Sequence, residues 1–163
     1  MSEDTSHTSS ATEPGVAAAK GFSQRFFVPA DAIDELGHVS NLEWVRWISR
    51  IATAHSESIG LGFTAYRSLG LLWVVRRHEV DYLAEALEGE DVEARTWIAD
   101  VKGATSRRST TFHRLESDGT RKLLVRAETT WALIDLARRR PTRVPRDLLE
   151  RYGFTPAAPT RSS

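Results

Sequence analysis

Apolar residues recur at every third or fourth position from Asn41 to about Gly60, and this period predicts one long helix with a single buried face. The positions on that face are Leu42, Val45, Ile48, Ile51, Ala52, His55 and Ile59. Trp44 and Trp47 lie beside them and broaden the apolar cover. A helix with so broad an apolar surface is expected to be wrapped by a sheet, and His55 on its buried face is expected to be structural.

The start of this helix carries a capping signal. Ser40 is a favoured N-cap residue, and Glu43 follows three positions later. This spacing is typical of a capping box, in which each side chain binds the backbone N–H of the other residue. The helix is therefore predicted to begin at about Asn41, and Gly60 with Gly62 is predicted to end it.

Strands are predicted on both sides of the helix. Before it, the aromatic-rich segment 21–28 ends at Pro29, which suits a first strand followed by a loop. After Gly70 the pattern becomes alternating or continuous and predicts four more strands, at 71–83, 92–101, 104–115 and 123–135. Turn signals at 118–119 and, more weakly, at 102–103 and 88–89 predict an antiparallel meander. Short helical segments are expected at 63–70 and 145–152.

This order of elements indicates an α+β fold, in which a curved antiparallel sheet of about five strands wraps around one long central helix. One helix cannot cover both faces of such a sheet. The exposed edge and the half-apolar outer face therefore predict a homodimer or a dimer of dimers. The folded domain is expected to span 21–154. Segments 1–20 and 155–163 are expected to be disordered tails, since 1–20 has almost no large apolar side chain.

Composition narrows the function further. The 163 residues include 22 basic and 22 acidic side chains, so overall charge gives no support to a nucleic-acid or membrane partner. The chain has no cysteine, which excludes a thiolate nucleophile and a cysteine-type zinc site. The longest apolar run, 69–75, is too short to span a membrane, and no metal-ligand spacing or glycine-rich phosphate loop is present. We expect a soluble cytoplasmic protein without a cofactor or metal.

Candidate chemistry is concentrated just before the helix. Asp34 and His38 precede its N-terminus, and Gly37 between them allows a tight backbone bend. An aspartate at such a position is most often a cap or a loop anchor, and a histidine there often braces the loop by bonding a nearby carbonyl. The functional alternative is that a charged or polarised ligand group binds here, where the helix dipole favours negative charge.

The pattern Asp-x-x-Gly-His-Val-x-Asn is formed here by Asp34, Gly37, His38, Val39 and Asn41 and is followed by the long helix. It resembles the motif of the hotdog-fold thioesterases, specifically the 4-hydroxybenzoyl-CoA thioesterase-like branch. Segments 77–83, 130–135 and 143–149 resemble that family's second strand, last strand and closing segment, so the resemblance spans about 22–154. It implies a hotdog fold and hydrolysis of an acyl-CoA or acyl-carrier-protein thioester, with CoA as part of the substrate.

The resemblance also implies roles for individual residues. Asp34 would be the catalytic carboxylate, acting as a general base on water or as a nucleophile that forms a mixed anhydride. The backbone N–H of Asn41 would bind the oxyanion at the helix N-terminus. His38 would help to position substrate or water. Gly37 and Val39, from the same motif, are expected to contact the substrate.

Three residues further along the chain are additional candidates for substrate binding. Arg107 and Arg108 are adjacent on a polar strand, so only one faces a given side, and a guanidinium suits the phosphates of CoA. A solvated strand edge explains the pair equally well. His78 lies among charged neighbours on its strand, where a surface charge ladder competes with contact to substrate across a dimer.

Two other functions remain open at this point. One is a hotdog domain that binds acyl-CoA as a sensor or accessory subunit without turnover. The other is a hotdog enoyl-CoA hydratase or dehydratase, in which His38 and Asp34 move protons at the acyl α-carbon.

Overall fold

The structure is a computed structural model and describes residues 20–155. In this part of the chain a curled antiparallel sheet wraps around one long helix. The strands are β1 (Phe22–Phe27), β2 (Leu71–Tyr82), β3 (Asp91–Lys102), β4 (Thr105–Leu115), β5 (Arg121–Asp135) and β6 (Arg140–Pro141). The helices are α1 (Asn41–Ser58), α2 (Phe63–Ser68) and α3 (Arg146–Arg151), and a 3-10 turn covers Ala30–Ala32.

The predicted α+β architecture is confirmed. The long helix begins at Asn41, and each of the four long strands ends within two residues of its predicted limits. The two short helices are α2 and α3, while the two-residue strand β6 was not predicted. The predicted tails lie almost entirely outside the described residues.

The order of strands in the sheet is β1-β3-β4-β5-β2, with β6 paired to β5. Strands β3, β4 and β5 form the predicted meander, and Gly103 and Gly119 adopt positive φ angles of 61° and 85° in its turns. The predicted hairpin at 88–89 is wrong, because β2 pairs with β5 whereas β3 pairs with β1 and β4. The connection from β2 to β3 instead passes the loop before α1, where Ala86 accepts a hydrogen bond from the Val39 N–H at 2.9 Å.

Aromatic side chains fill the space between α1 and the concave face of the sheet. Trp44 and Trp47 of α1 are 2% and 5% exposed, and Phe112 of β4 is 0% exposed. The Trp44 ring meets Trp47 and Phe112 edge-on, with centroids 4.9 and 5.1 Å away. Phe26 of β1 meets Trp47 in the same way at 4.8 Å. Edge-to-face contacts between aromatic rings stabilise the fold beyond the burial of their surface, so this cluster fixes the position of α1 on the sheet.

The buried face of α1 differs from the predicted one in the first turn. The buried residues are Trp44, Trp47, Ile48, Ile51, Ala52 and His55. Leu42, which the period places on this face, is 72% exposed. The two tryptophans have taken the space against the sheet, so the apolar face of the first turns is centred on them and Leu42 points away from the core.

Phe112→Ala is expected to lower the free energy of unfolding by about 3–5 kcal/mol, because it removes a fully buried ring and leaves a cavity. The control is Phe27→Ala, which removes the same side chain where it is 70% exposed and should change stability by about 0.5 kcal/mol or less. Urea unfolding followed by tryptophan fluorescence measures both. Equal losses in the two variants would contradict this description of the core.

Candidate active site

Backbone hydrogen bonds hold the loop between β1 and α1 in a tight turn. Ile33 and Val39 form an isolated antiparallel bridge. Inside it, the Asp34 N–H donates to the His38 carbonyl and the Gly37 N–H donates to the Asp34 carbonyl, each at 3.0 Å. Gly37 has a φ angle of 84°, a conformation that side chains disfavour. This turn brings the Asp34 backbone against that of His38, two residues before the N-cap Ser40.

The Asp34 carboxylate anchors this loop and still has one oxygen available. Its Oδ1 accepts a hydrogen bond from the Leu36 N–H at 2.9 Å. Its Oδ2 has no hydrogen-bond partner among residues 20–155, and the side chain is only partly buried. The loop-anchor role is therefore present in the structure. The same bond restricts rotation of the carboxylate, which leaves Oδ2 as a fixed acceptor for a ligand or a proton.

The first turn of α1 offers two backbone amides without acceptors. Ser40 is the N-cap, and its side-chain and backbone oxygens accept from the Glu43 N–H at 3.2 and 3.1 Å. The N–H groups of Asn41 and Leu42 have no acceptor in the part of the chain that the structure describes. Unpaired amides at a helix N-terminus, together with the helix dipole, favour negative charge. The site therefore combines a carboxylate with two free donors.

The predicted capping box is confirmed in one half only. The Ser40 side chain accepts from Glu43, but the Ser40 N–H donates to the Ala32 carbonyl at 3.0 Å. The Glu43 carboxylate instead pairs with Arg46 at 2.9 Å. Because Ala32 belongs to the loop before α1, this exchange ties the helix start to the segment that carries Asp34.

His38 and Val39 both contribute to the structure of the loop. The His38 Nδ1 lies 3.3 Å from the Val39 carbonyl, and the residue is partly buried. Val39 is 2% exposed and packs in the core. Its side chain therefore offers no surface to a substrate, in contrast to the expected contact. A catalytic role of His38 stays a prediction.

The candidates for substrate binding on the strands lie on different faces of the sheet. Arg107 is exposed on the convex face, 3.7 Å from the Glu128 carboxylate. Arg108 is 6% exposed and lies on the concave face. His78 is on the concave side of the edge strand β2, with its Nδ1 2.9 Å from the Thr129 hydroxyl, and burial lowers its pKa. Within the described residues, none of the three forms a hydrogen bond to the Asp34 loop.

The residues around the Asp34 loop that sequence reasoning missed are apolar and exposed. Tyr82, at the end of β2, donates its hydroxyl to the Asn41 carbonyl at 3.3 Å and is 44% exposed. The exposed leucines on the neighbouring segments are Leu36, Leu42, Leu83 and Leu87. Contiguous exposed apolar side chains are typical of surfaces that bind a ligand or a partner. The signal in the sequence is the apolar pair 82–83 at an otherwise charged strand end.

A family model decides which proteins this chain is related to. The model of the thioesterase-like superfamily matches residues 28–152, a range that includes the Asp34 loop, α1 and the strands from β2 to β6. The chain belongs to the thioesterase-like superfamily. A comparison with curated proteins finds no match.

Several solved structures share the fold of this thioesterase-like protein. A 1,4-dihydroxy-2-naphthoyl-CoA thioesterase from Synechocystis has a TM-score of 0.72 and 19% identity, covering 81% of this chain and 95% of its own. A mutant 4-hydroxybenzoyl-CoA thioesterase in complex with 4-hydroxybenzoyl-CoA has a TM-score of 0.74 and 17% identity, covering 82% of this chain and 99% of its own. A hypothetical protein from Staphylococcus aureus in complex with CoA has a TM-score of 0.72 and 19% identity, covering 88% of this chain and 91% of its own. The hotdog fold that the resemblance implies is confirmed.

Two further properties concern membranes and metals. No helix in the described part of this thioesterase-like protein is long and apolar enough to cross a membrane. Residues 20–155 also contain no group of three or more His, Asp or Glu side chains arranged to hold a metal ion. The expectation that catalysis needs no cofactor stays a prediction.

A polar contact is buried at the far end of α1. His55 is 4% exposed, and its Nδ1 accepts a hydrogen bond from an Arg108 N–H at 3.0 Å. Burial and the nearby Arg108 charge lower the pKa of His55 to about 4. The imidazole is therefore neutral at physiological pH, with its hydrogen on Nε2 because Nδ1 is the acceptor.

The thioesterase-like protein is expected to lose stability as pH falls from about 6.5 to about 4. In this window His55 takes up a proton in the unfolded chain but not in the folded one, so protons favour unfolding. Burial lowers the pKa of His78 and of His113 and adds a loss of the same sign. The measurement is the melting temperature at about pH 7 and at about pH 5, and the value at about pH 5 should be the lower one.

His55→Gln tests the assignment, because glutamine keeps a neutral acceptor for Arg108 without titrating. The variant should lose several degrees less than wild type between the two pH values, since about 1 kcal/mol corresponds to about 2–4 °C in a domain of this size. A loss equal to that of wild type would exclude His55 as the source.

Proposed function

We propose that this thioesterase-like protein hydrolyses an acyl-CoA or acyl-carrier-protein thioester to a free acid and a thiol. The observation that carries the proposal is the Asp34 carboxylate, with a free Oδ2, on the loop that leads into α1, whose N-terminus has two unpaired amides. Thioester hydrolysis needs both functions, because a nucleophile must be supplied while negative charge develops on the carbonyl oxygen. The similar structures named as CoA thioesterases support the choice of a thioester substrate.

Asp34 acts by one of two routes in this proposal. As a general base, it takes a proton from water, and the water oxygen attacks the thioester carbonyl carbon. As a nucleophile, its own oxygen attacks that carbon, the thiolate leaves, and the resulting mixed anhydride is hydrolysed by water. In both routes the departing thiolate takes up a proton. A single turnover in isotopically labelled water separates them, because only the nucleophilic route is able to place the label in the Asp34 carboxylate.

The N–H of Asn41 stabilises the oxyanion in either route. It is one of the two unpaired amides, and the Ser40 cap fixes its position before substrate binds. A donor that is already oriented needs no reorganisation as charge develops on the carbonyl oxygen, and the helix dipole adds to the attraction. The exposed apolar residues around the loop, Tyr82 among them, supply a surface that suits an acyl chain.

We also propose that the protein acts as a homodimer joined along β2. Within the described sheet β2 is an edge strand, and it is 12 residues long. Its exposed residues include the apolar Val75 and Tyr82, at 39% and 44%. A long edge strand with exposed apolar side chains favours pairing with another strand. A second copy paired antiparallel through β2 would lie next to the Asp34 loop and cover its exposed apolar residues.

Asp34→Asn is expected to lower kcat by about 100- to 10,000-fold, because the amide neither accepts the proton nor attacks the carbonyl. Asparagine keeps an oxygen for the Leu36 N–H, so the loop should retain its conformation. The matched control is Asp31→Asn, which changes an exposed carboxylate in the same loop and should leave the rate unchanged. The measurement is thiol release from aliphatic and aromatic acyl-CoAs and from an acyl-carrier protein.

Three results would contradict parts of this proposal. An Asp34→Asn variant as fast as wild type removes Asp34 from the chemistry. Tight acyl-CoA binding without thiol release indicates a binding protein instead. Hydration of an enoyl-CoA without thioester cleavage indicates a hydratase.

Arg76→Pro tests the dimer at a site where the monomer should tolerate proline. Arg76 lies at the irregularity in β2, between Val75 and Arg77, and has no register partner on β5. Proline is accepted at such bulges but blocks pairing of a second strand there. The variant is expected to elute as a monomer in size-exclusion chromatography with light scattering and to lose activity. Arg76→Ala, which keeps the backbone N–H, should remain dimeric and active; a dimeric Arg76→Pro would place the interface elsewhere.

A further inference from the structure

A cavity of about 150 Å³ lies toward the opposite end of α1 from the Asp34 loop. Its lining includes Ala52, Leu72, Trp73, Ile98, Arg108 and Trp131. Ala52 follows Asn41 by 11 residues, which corresponds to about 16 Å along the helix axis. Within one chain the cavity is therefore separate from the candidate active site.

A positive charge without a negative partner is buried in the wall of this cavity. Arg108 is 6% exposed, and its Nη1 donates to the His55 Nδ1 at 3.0 Å and to the Thr96 hydroxyl at 3.3 Å. Its guanidinium lies 5.6 Å from the centroid of the Tyr152 ring. Among residues 20–155, no carboxylate pairs with Arg108, and its Nε and Nη2 groups have no hydrogen-bond acceptor. Three N–H donors of a buried cation are therefore unused.

The other groups around Arg108 do not neutralise it. The pKa of His55 is lowered to about 4, so its imidazole is uncharged at neutral pH, and burial raises the pKa of Tyr66 so that its hydroxyl stays protonated. The Tyr152 hydroxyl forms hydrogen bonds with those of Tyr66 and Ser56 at 2.9 and 2.6 Å. Burial lowers the pKa of Arg108, but a guanidinium titrates so high that it keeps its proton. A buried charge left in this state is costly, which points to a ligand that completes it.

A second unused donor lies in the same wall. The Trp131 Nε1–H is buried and has no hydrogen-bond partner in the described part of the chain. Trp131 pairs in register with Ser106, two residues before Arg108 on β4, so both donors belong to the concave side of the sheet. Much of the remaining lining, such as Leu72 and Ile98, is apolar. The cavity therefore fits a ligand with oxygen acceptors on a small apolar body.

We propose that this cavity binds a small organic carboxylate, with its oxygens on the free N–H groups of Arg108 and its hydrocarbon part against Leu72 and Trp73. The planar guanidinium matches the two oxygens of a carboxylate. One buried cation balances one negative charge, so a monoanion fits better than a phosphate dianion. A cavity of about 150 Å³ has room for a molecule the size of benzene, which sets the scale of the ligand.

The carboxylate has two sources with the same chemistry. It is either a free organic acid or the distal carboxylate of the acyl chain in the thioester substrate. The second source rests on the proposed function, whereas the first does not.

The first experiment measures binding and needs no catalysis. Sodium benzoate and sodium hexanoate are titrated into the full chain by calorimetry, and benzamide serves as the uncharged isostere of benzoate. At least one carboxylate is expected to bind, and benzoate should bind at least about 10-fold more tightly than benzamide. Fluorescence of Trp73 and Trp131 should change on binding.

Variants at two adjacent arginines locate the site. Arg108→Met removes the charge and the donors, and a buried charge replaced by an apolar chain of similar length usually leaves the fold intact. It should abolish the preference for benzoate over benzamide. Arg107→Met makes the same change on the convex face and should bind as wild type does. If Arg108→Met fails to fold, Arg108→Lys keeps the charge without the fork and should weaken carboxylate binding by about 10-fold.

Several outcomes would overturn the proposal. These are no binding of either carboxylate by wild type up to about 10 mM, equal binding of benzoate and benzamide, or equal effects of the two arginine variants.

The second experiment separates the two sources. Hydrolysis of adipoyl-CoA is compared with that of hexanoyl-CoA, which has the same chain length without the distal carboxylate. A preference of about 10-fold or more in kcat/KM for adipoyl-CoA, lost in Arg108→Met, identifies the acyl chain as the source. Carboxylate binding without this preference identifies a free acid. If no thioester is cleaved but benzoate still binds through Arg108, the proposed function fails while the carboxylate site stands.

Discussion

The packing of Trp44 and Trp47 against Phe112 is the contact on which both ends of α1 depend. These rings pack the first half of the helix against the concave face of the sheet. Because an α-helix is stiff, fixing its first half also fixes the position of its second half. One end then presents the amides of the first turn beside Asp34. The other end brings His55 against Arg108. A shift of the aromatic cluster would therefore disturb both polar sites.

The two ends of α1 also differ in electrostatic potential: the N-terminal end favours negative charge, and the C-terminal end favours positive charge. Amides without acceptors make the N-terminus of the helix attractive to a developing oxyanion. The C-terminal end has the opposite sign, and His55, which binds Arg108, lies in its last turn. This arrangement gives one physical reason why the fold tolerates a buried guanidinium without a carboxylate beside it. The helix dipole offsets part of the desolvation cost, and a ligand carboxylate would offset more.

Local signals in the sequence were sufficient for the helix start and for the strand limits, because the N-cap and the turn glycines act within a few residues. The motif around Asp34 was located in the same way, although its chemistry rests on a family resemblance. Properties set by distant packing were harder to predict. Leu42 is exposed because tryptophans took its place, and β2 pairs with β5 although β3 and β4 lie between them in the sequence. Arg107 and Arg108 look equivalent in sequence, yet only the second is buried, and its partner His55 lies 53 residues away.

The edge strand connects the two sites if two copies pair along it. An antiparallel pairing centred on the middle of β2 sets Leu72 of one copy opposite Asp81 of the other, next to Tyr82, whose hydroxyl binds the Asn41 carbonyl. Since Leu72 lines the carboxylate cavity, that cavity would then open beside the helix start of the second copy. An acyl chain would cross an interface rather than about 16 Å of α1. Recognition of a distal carboxylate would thus require the dimer, whereas binding of a free acid would need one chain alone.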